Sequence, residues 1–522
     1  MSEALAIAED ELFHHQRQSR RLTGNCLLTA PTGSGKTEAS LLWAAHVGSR
    51  SPGYPVVFYV LPYQASLNAM RWRLGDKLGK DSVSLQHSRA VQALYRQLLE
   101  KSYERRTASR LAAHEVALAR LHATPLRILT PYQMLRGAFQ LKGHEAMWTD
   151  AAGGLTILDE IHAYETNRLA MILATVRHLS RDLGVHAFVM SATLPSCLAS
   201  IIRNLLPGCE TVKADVSTIA KFRRHRLRLV HEDLMSDPTV QAIVSDASHG
   251  LSVLAVCTTV GRAQDLWWRL RQRLGAEVEL LHGRFHSEDR FRKERRLCEL
   301  RGSGKQEPVV LVATQVVEVS LDVDFDVLYC DPAPLEALVQ RFGRVNRRRR
   351  SALRDVHVMT GIPDGSPVYP DSLVHSAIAV LGEVHGKALD EGSVQRLVDT
   401  IYSSEFGDGW RRELEREIEV FESRVLGSLK PFESDEGLED AFERMFDGFE
   451  VLPKSLEELH EERLKTDPLQ APGLHVPITR GQYFSLKQRG LIEWKKGTCI
   501  ANCRYTPEFG LEIRDRPGVD GV

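Results

Sequence analysis

The chain has 522 residues, with 67 Lys and Arg against 68 Asp and Glu and a formal net charge of −1 at pH 7. That balance excludes a simple polycation that holds nucleic acid by bulk charge, so any polyanion has to be gripped locally. With 43 % hydrophobic and 26 % charged residues the composition is globular rather than disordered or fibrous, and at about 150 residues per domain the length allows roughly three domains.

The N-terminus, MSEALAIAEDELF, is acidic where a signal or transit peptide is basic, and no apolar run approaches the roughly 20 residues that span a bilayer. The expectation is a soluble, cytoplasmic chain with no membrane partner. The first strong signal is APTGSGKT, the residues Ala30, Pro31, Thr32, Gly33, Ser34, Gly35, Lys36 and Thr37, between the strand-like NCLLTA and the helix-like ASLLWAAHV. A phosphate needs backbone N–H donors at a helix N-terminus, and Gly33 and Gly35 let the loop fold tightly around it. Lys36 then reaches the β- and γ-phosphates and Thr37 offers its hydroxyl to Mg²⁺. ATP and Mg²⁺ are the expected cofactors.

Further apolar runs follow at PVVFYVLP, LRILT, GLTILDE and HAFVMSAT. Their length and continuity suit strands buried on both faces of parallel sheets. Residues 86–122 interrupt the rhythm and read as an amphipathic helical insertion carrying Arg96, Lys101, Arg105, Arg106 and Arg110. The run LTILDEIH ends in two carboxylates at the C-terminal edge of a strand, where α/β sheets bind ligands. Asp159 is expected to hold the metal, Glu160 to polarise the attacking water as general base, and His162 to link this site to Ser191 and Thr193 in SAT.

Residues 207–232 lose the α/β rhythm and turn basic, which suggests a boundary. A second series then begins with LSVLAVCTT, EVELLHG, PVVLVAT, FDVLYCD and DVHVMT. It has no P-loop of its own but carries QRFGRVNR, in which Gln340 can orient water and Arg344 and Arg347, three apart, share a helix face. Guanidinium groups stabilise charge on a transferring phosphoryl group, so hydrolysis at the first lobe is expected to be coupled to lobe closure. The stretch GIPDGSPVYPDS ends this series. Residues 373 to about 470 read as acidic amphipathic helices and the last fifty as a small mixed domain. The eight cysteines are far apart and suit reduced thiols; Cys499 and Cys503 alone amount to half a zinc site. The resulting assignment is α/β, with lobes over residues 1–215 and 216–362 and a mostly helical accessory domain over 363–522.

The ordered set of motifs resembles that of superfamily 2 helicases, which implies two tandem RecA-like doubly wound lobes. APTGSGKT is similar to motif I, VLPYQASLNAMRWRL to motif Ia, LTPYQML to Ib, DEIH to II, SAT to III, TQVVEVSLDVD to V and QRFGRVNR to VI. The resemblance implies that Ser191 and Thr193 couple hydrolysis to lobe movement, that Thr130 and Thr314 touch the strand's phosphates, that Asp322 meets the nucleotide, and that Gln16, in preference to Gln18, reads adenine. The phrasing of PTGSGKTEASLLWA, ILDEIHAYE, MSATLPS and ATQVVEVSLDVDFDVLYCDPAPLEALVQRFGRVNRR, with Ser320 where many helicases have Gly, is similar to the CRISPR-associated helicase of type I interference systems. That family implies an ATP-driven 3′ to 5′ motor on single-stranded DNA, recruited to an R-loop by the crRNA-guided surveillance complex. An RNA helicase with the same core, or a nucleic-acid-stimulated ATPase of another pathway, stays open on the residues themselves. The family's usual nuclease is marked by adjacent His and Asp ligands, and the sequence has no His-Asp dipeptide; the expectation is a helicase-only form partnered by a separate HD nuclease chain.

Overall fold

The computed structural model describes all residues except 1–8, 52, 54, 88, 121–123, 302–306, 319–321, 350–352, 364–367, 431–432, 434, 447 and 514–522. It divides into two units, residues 1–223 with 390–446, and residues 224–389 with 447–522. Among the described residues, no helix is long and apolar enough to cross a membrane, and all eight cysteines are free thiols.

The first unit is built on seven strands: β1 (Cys26–Thr29), β2 (Val57–Val60), β3 (Val83–Gln86), β4 (Leu126–Leu129), β5 (Leu155–Asp159), β6 (His186–Ser191) and β7 (Glu210–Lys213). They lie in the order β3-β4-β2-β5-β6-β1-β7, and every pairing is parallel. The register brings Thr29 opposite Ser191 and Asp159 opposite Met190. Three central strands therefore end at one level, and the loops that follow them share one edge. In β2 and β5 every residue is buried, as expected for strands covered on both faces by helices.

The second unit holds β8 (His225–Val230), β9 (Val253–Val256), β10 (Val278–Leu281), β11 (Val310–Ala313), β12 (Val327–Cys330), β13 (Arg354–Met359) and β14 (Ala388–Leu389), in the order β10-β11-β9-β12-β13-β8-β14. Only β14 runs antiparallel to its neighbour. All ten apolar runs read as strands are strands. Four more were invisible as such. β7 buries only Val212, and β8 alternates Leu227 and Leu229 with Arg226 and Arg228, the pattern of a half-covered position rather than a central one. The supposed break at 207–232 therefore contains the last strand of one sheet and the first of the next, with the unit boundary at Arg223 and Arg224 rather than at 215. The insertion at 86–122 contains a helical pair, Ala90–Glu100 and Arg105–Arg120.

The chain after 362 does not form one accessory body. Helix Glu405–Arg424 packs along helix Thr166–Asp182, and Leu414, Ile418, Phe421 and Phe442 enter the same apolar core as Leu169, Leu173 and Val176. Polar contacts fasten it: Trp410 Nε1 donates to Thr166 Oγ1 at 3.1 Å, Arg177 pairs with Glu422 at 3.0 Å, and Ser196 N donates to Asp399 at 2.7 Å. The remainder forms a four-stranded sheet of β15 (Phe449–Pro453), β16 (Val476–Ile478), β17 (Ile492–Lys495) and β18 (Thr498–Ala501). Its Val451 and Val476, with Leu486 of helix Arg480–Gln488, join the core beneath β9 and helix Val260–Leu274 of the second unit. Tyr505 donates to Asp289 at 2.7 Å across the same contact. The expected third domain is thus divided between the two units because its apolar faces are completed by different sheets.

Candidate active site

β1 is an almost fully buried apolar run that delivers the chain to Ala30, whose N–H donates to Ser191 O at 3.3 Å. The loop then turns through two left-handed glycines, Gly33 at φ +86° and Gly35 at φ +81°, and helix Lys36–Gly48 begins immediately after them. A Cβ at Gly35 would collide with the Gln16 amide and force it to shift, and the left-handed backbone there itself favours glycine. Lys36 is 8 % exposed and folds its Nζ back onto Ala30 O at 3.2 Å. The described loop groups Pro31, Thr32 and Ser34 complete the turn, with Ser34 N donating to Pro31 O at 3.1 Å.

The helix His14–Ser19 underpins this loop. Gln16 Nε2 donates to Gly35 O at 3.1 Å while its Oε1 accepts from Phe13 N at 2.9 Å. Gln16 is buried and Gln18 exposed, so of the two glutamines it is Gln16 that meets the P-loop. His15 is fully buried with Nε2 3.0 Å from Ser34 O, a contact that its sequence context does not announce. A carbonyl only accepts, so Nε2 carries the proton. Burial pushes this imidazole down to about 4, with Lys36 adding to the effect, and it is neutral near pH 7.

β5 carries Asp159 to the shared edge. Its Oδ2 accepts from the Tyr59 hydroxyl at 2.9 Å and its Oδ1 from Glu160 N at 3.0 Å. Burial first, and the neighbouring Glu160 second, raise this carboxyl to about 7, opposed by Lys36 and the Tyr59 hydrogen bond. Glu160 adopts a left-handed conformation at φ +53°, uncommon for a residue with a Cβ, and its carboxylate is a third exposed. The turn directs the following His162 into the sheet edge, where Nδ1 meets Ser191 Oγ at 2.7 Å. Ser191 Oγ donates onward to Thr193 O at 2.5 Å, so its single proton is committed and His162 Nδ1 must be the donor to it. Glu160 Oε2 lies 3.6 Å from His162 Nδ1, and His162, Ser191 and Thr193 form a hydrogen-bonded path beside the P-loop.

Thr37 and Asp159 present hard oxygen donors beside a lysine and a glycine cradle, the donor chemistry that suits Mg²⁺ and a nucleotide polyphosphate. Thr130 sits at the end of β4 as the N-cap of helix Pro131–Ala138.

In the second unit Thr314 is buried at the end of β11, with its N–H on Leu281 O at 3.2 Å. Gln340 is half-buried on helix Leu335–Phe342. Arg344 Nη2 donates to Glu318 O at 2.6 Å, and Arg347 pairs with the exposed Asp322 at 3.1 Å. Arg341 of the same motif is a fully buried guanidinium that bonds Glu318 at 2.8 Å and Asp331 O at 3.0 Å. A charged pair at spacing 23 within two helicase-like motifs was the available signal. Ser320 lies outside the described residues.

The DEAD/DEAH box helicase family model matches residues 14–201, and the model for the C-terminal part of the CRISPR-associated nuclease/helicase Cas3 matches residues 249–350. The chain is 28 % identical over 483 residues to the CRISPR-associated endonuclease/helicase Cas3 of Thermus thermophilus, covering 76 % of this chain and 52 % of that one. It is 26 % identical to the Cas3 of Methanothermobacter thermautotrophicus over 74 % of its own length and 47 % of the relative's. The chain thus spans about half the length of these curated relatives. Among solved structures, T. fusca Cas3 with AMPPNP aligns over 92 % of this chain and 65 % of its own at 21 % identity and a TM-score of 0.70. A chain of a CRISPR RNA-guided surveillance complex in a pre-nicking state aligns over 96 % of this chain and 70 % of its own, at 22 % identity and 0.67. The P-loop and the paired carboxylates fall inside the first matched segment and Gln340, Arg344 and Arg347 inside the second, so the chain is similar to the CRISPR-associated Cas3 helicases over both.

Proposed function

We propose that this chain hydrolyses ATP and couples the hydrolysis to 3′ to 5′ movement along single-stranded DNA during CRISPR interference, recruited to an R-loop by a crRNA-guided surveillance complex. The observation that carries the reading is the meeting of the Lys36 loop, Asp159 and the His162–Ser191–Thr193 path at one edge of three adjacent parallel strands. Backbone N–H groups from Gly33 to Thr37 bind the phosphates, and Lys36 leaves Ala30 O to neutralise the β- and γ-phosphates. Thr37 and Asp159 would hold Mg²⁺, which when bound draws charge from the β- and γ-oxygens. Glu160, partly exposed on its left-handed turn, accepts the proton of the attacking water. Gln340 orients that water, and Arg344 and Arg347 supply positive charge to the transferring phosphoryl group. Loss of the γ-phosphate changes what Glu160 faces, and His162 passes the change to Ser191 and Thr193. Gln16 senses adenine and reports to Gly35, Asp322 acts toward the nucleotide through its exchangeable pairing with Arg347, and Thr130 and Thr314 meet the strand's phosphates.

The similarity to Cas3 proteins supports DNA as the polymer, and the alignment to a chain of a surveillance complex supports the recruiting partner. The test is ATP turnover with Mg²⁺ measured without nucleic acid, with single-stranded DNA and with single-stranded RNA. Strong stimulation by DNA alone is expected. Equal rates in all three would refute the motor, and stimulation by RNA alone would make it an RNA helicase.

A further inference from the structure

We propose that Tyr59 is a positioning residue for the metal-bound nucleotide, orienting the Asp159 carboxylate. Tyr59 lies on β2 and is completely buried. It pairs with Ile157 of β5, two residues before Asp159, which fixes the ring against the strand that carries the carboxylate. Its hydroxyl donates to Asp159 Oδ2 at 2.9 Å.

A phenol has one proton to give, and here Asp159 takes it. Asp159 is held at both oxygens, since Glu160 N holds Oδ1 at 3.0 Å while Tyr59 holds Oδ2 at 2.9 Å. The carboxylate is set before the metal arrives, and a preorganised donor binds with less loss on ordering. A phenylalanine would pack equally well in this strand, so burial alone does not call for the hydroxyl.

The inference rests on the reading that Thr37 and Asp159 hold Mg²⁺ with the nucleotide, and the experiment separates the two. Fluorescent methylanthraniloyl-ADP is titrated into wild type and Tyr59→Phe, once in EDTA and once over a range of Mg²⁺ concentrations. Tyr59→Phe keeps the ring and is expected to raise the Mg²⁺ concentration needed for half-maximal tight binding roughly tenfold, the loss of about one charge-assisted hydrogen bond, while the affinity in EDTA stays within about twofold. A Tyr59→Phe, Asp159→Ala double variant is expected to need no more Mg²⁺ than Asp159→Ala alone, since Tyr59 acts only through that carboxylate. An unchanged Mg²⁺ curve would overturn the inference while leaving the nucleotide reading intact. So would an equal loss in EDTA and Mg²⁺, which marks a structural prop. A wild type whose binding ignores Mg²⁺ would remove the metal reading and the inference with it.

Discussion

Replacing Ser191 with alanine deletes a single oxygen but breaks two contacts at once. Ser191 Oγ receives His162 Nδ1 at 2.7 Å and donates to Thr193 O at 2.5 Å, and Ser191 and Thr193 are 0 % and 2 % exposed. The His162 side chain is 4 % exposed, so water cannot easily take the serine's place. A satisfied hydrogen bond contributes about 1 kcal/mol net, and a buried group left without one costs about 1–3 kcal/mol. Two such losses give about 2–6 kcal/mol, a large part of the roughly 5–15 kcal/mol that holds a typical domain. Native-state hydrogen exchange at the β5 and β6 amides reads this locally. Ser191→Ala is expected to speed exchange there by about 30- to 30,000-fold if those amides exchange by the opening that breaks these bonds, with little effect at β9 to β13. A cycle with His162→Ala should show an interaction of about 1 kcal/mol, because the two residues share one bond. In the same variant, ATP turnover should fall less than DNA strand displacement. Exchange rates within twofold of wild type, together with an unchanged ratio of displacement to turnover, would refute the coupling path.

Glu160→Gln should retain nucleotide affinity while turnover falls by at least about a hundredfold, checked by steady-state ATPase and by nucleotide binding; normal turnover would transfer the base role elsewhere. Phe442→Ala should destabilise the first unit by about 3–5 kcal/mol, because Phe442 is fully buried with its ring centroid 4.5 Å from that of Tyr132 and 5.3 Å from that of Phe139; urea unfolding monitored by exchange in that unit measures it. Acid should loosen both units at a pH above the ordinary carboxylate range. Burial lowers His15 and His87 to about 4 and His225 and His282 to about 3. Each folded pKa lies below the unfolded 6.5, so its contribution is complete above pH 6.5 and declines as the pH falls toward the folded value. The slope is about 1.4 kcal/mol per pH unit for each histidine, and thermal unfolding at pH 7.0 and 5.5 should show a clear drop in midpoint.

The central strands were readable because burial on both faces demands continuous apolar runs, as in CLL, VVFYV and LTILD. The strands that escaped notice obey a different requirement. β7 exposes three of its four residues, and β8 places arginines between its leucines, so neither carries the run that marks a central strand. The P-loop, Asp159 and Glu160 were legible because phosphate and proton chemistry restrict the residue types as well as their spacing. His15 and Tyr59 were not, since a buried histidine and a strand tyrosine look like ordinary packing until the third dimension sets them against Ser34 and Asp159. The division of residues 363–522 was equally hidden. Amphipathic patterning shows that helix Glu405–Arg424 has an apolar face, but not that helix Thr166–Asp182 is what covers it.

The most direct test of the motor is displacement of streptavidin from biotinylated single-stranded DNA. Movement in the 3′ to 5′ direction should strip streptavidin from a 5′-terminal biotin in the presence of ATP and Mg²⁺, leave a 3′-terminal biotin occupied, and fail in the Lys36→Ala variant. Displacement that proceeds equally without ATP, or from the 3′ end alone, would contradict the account.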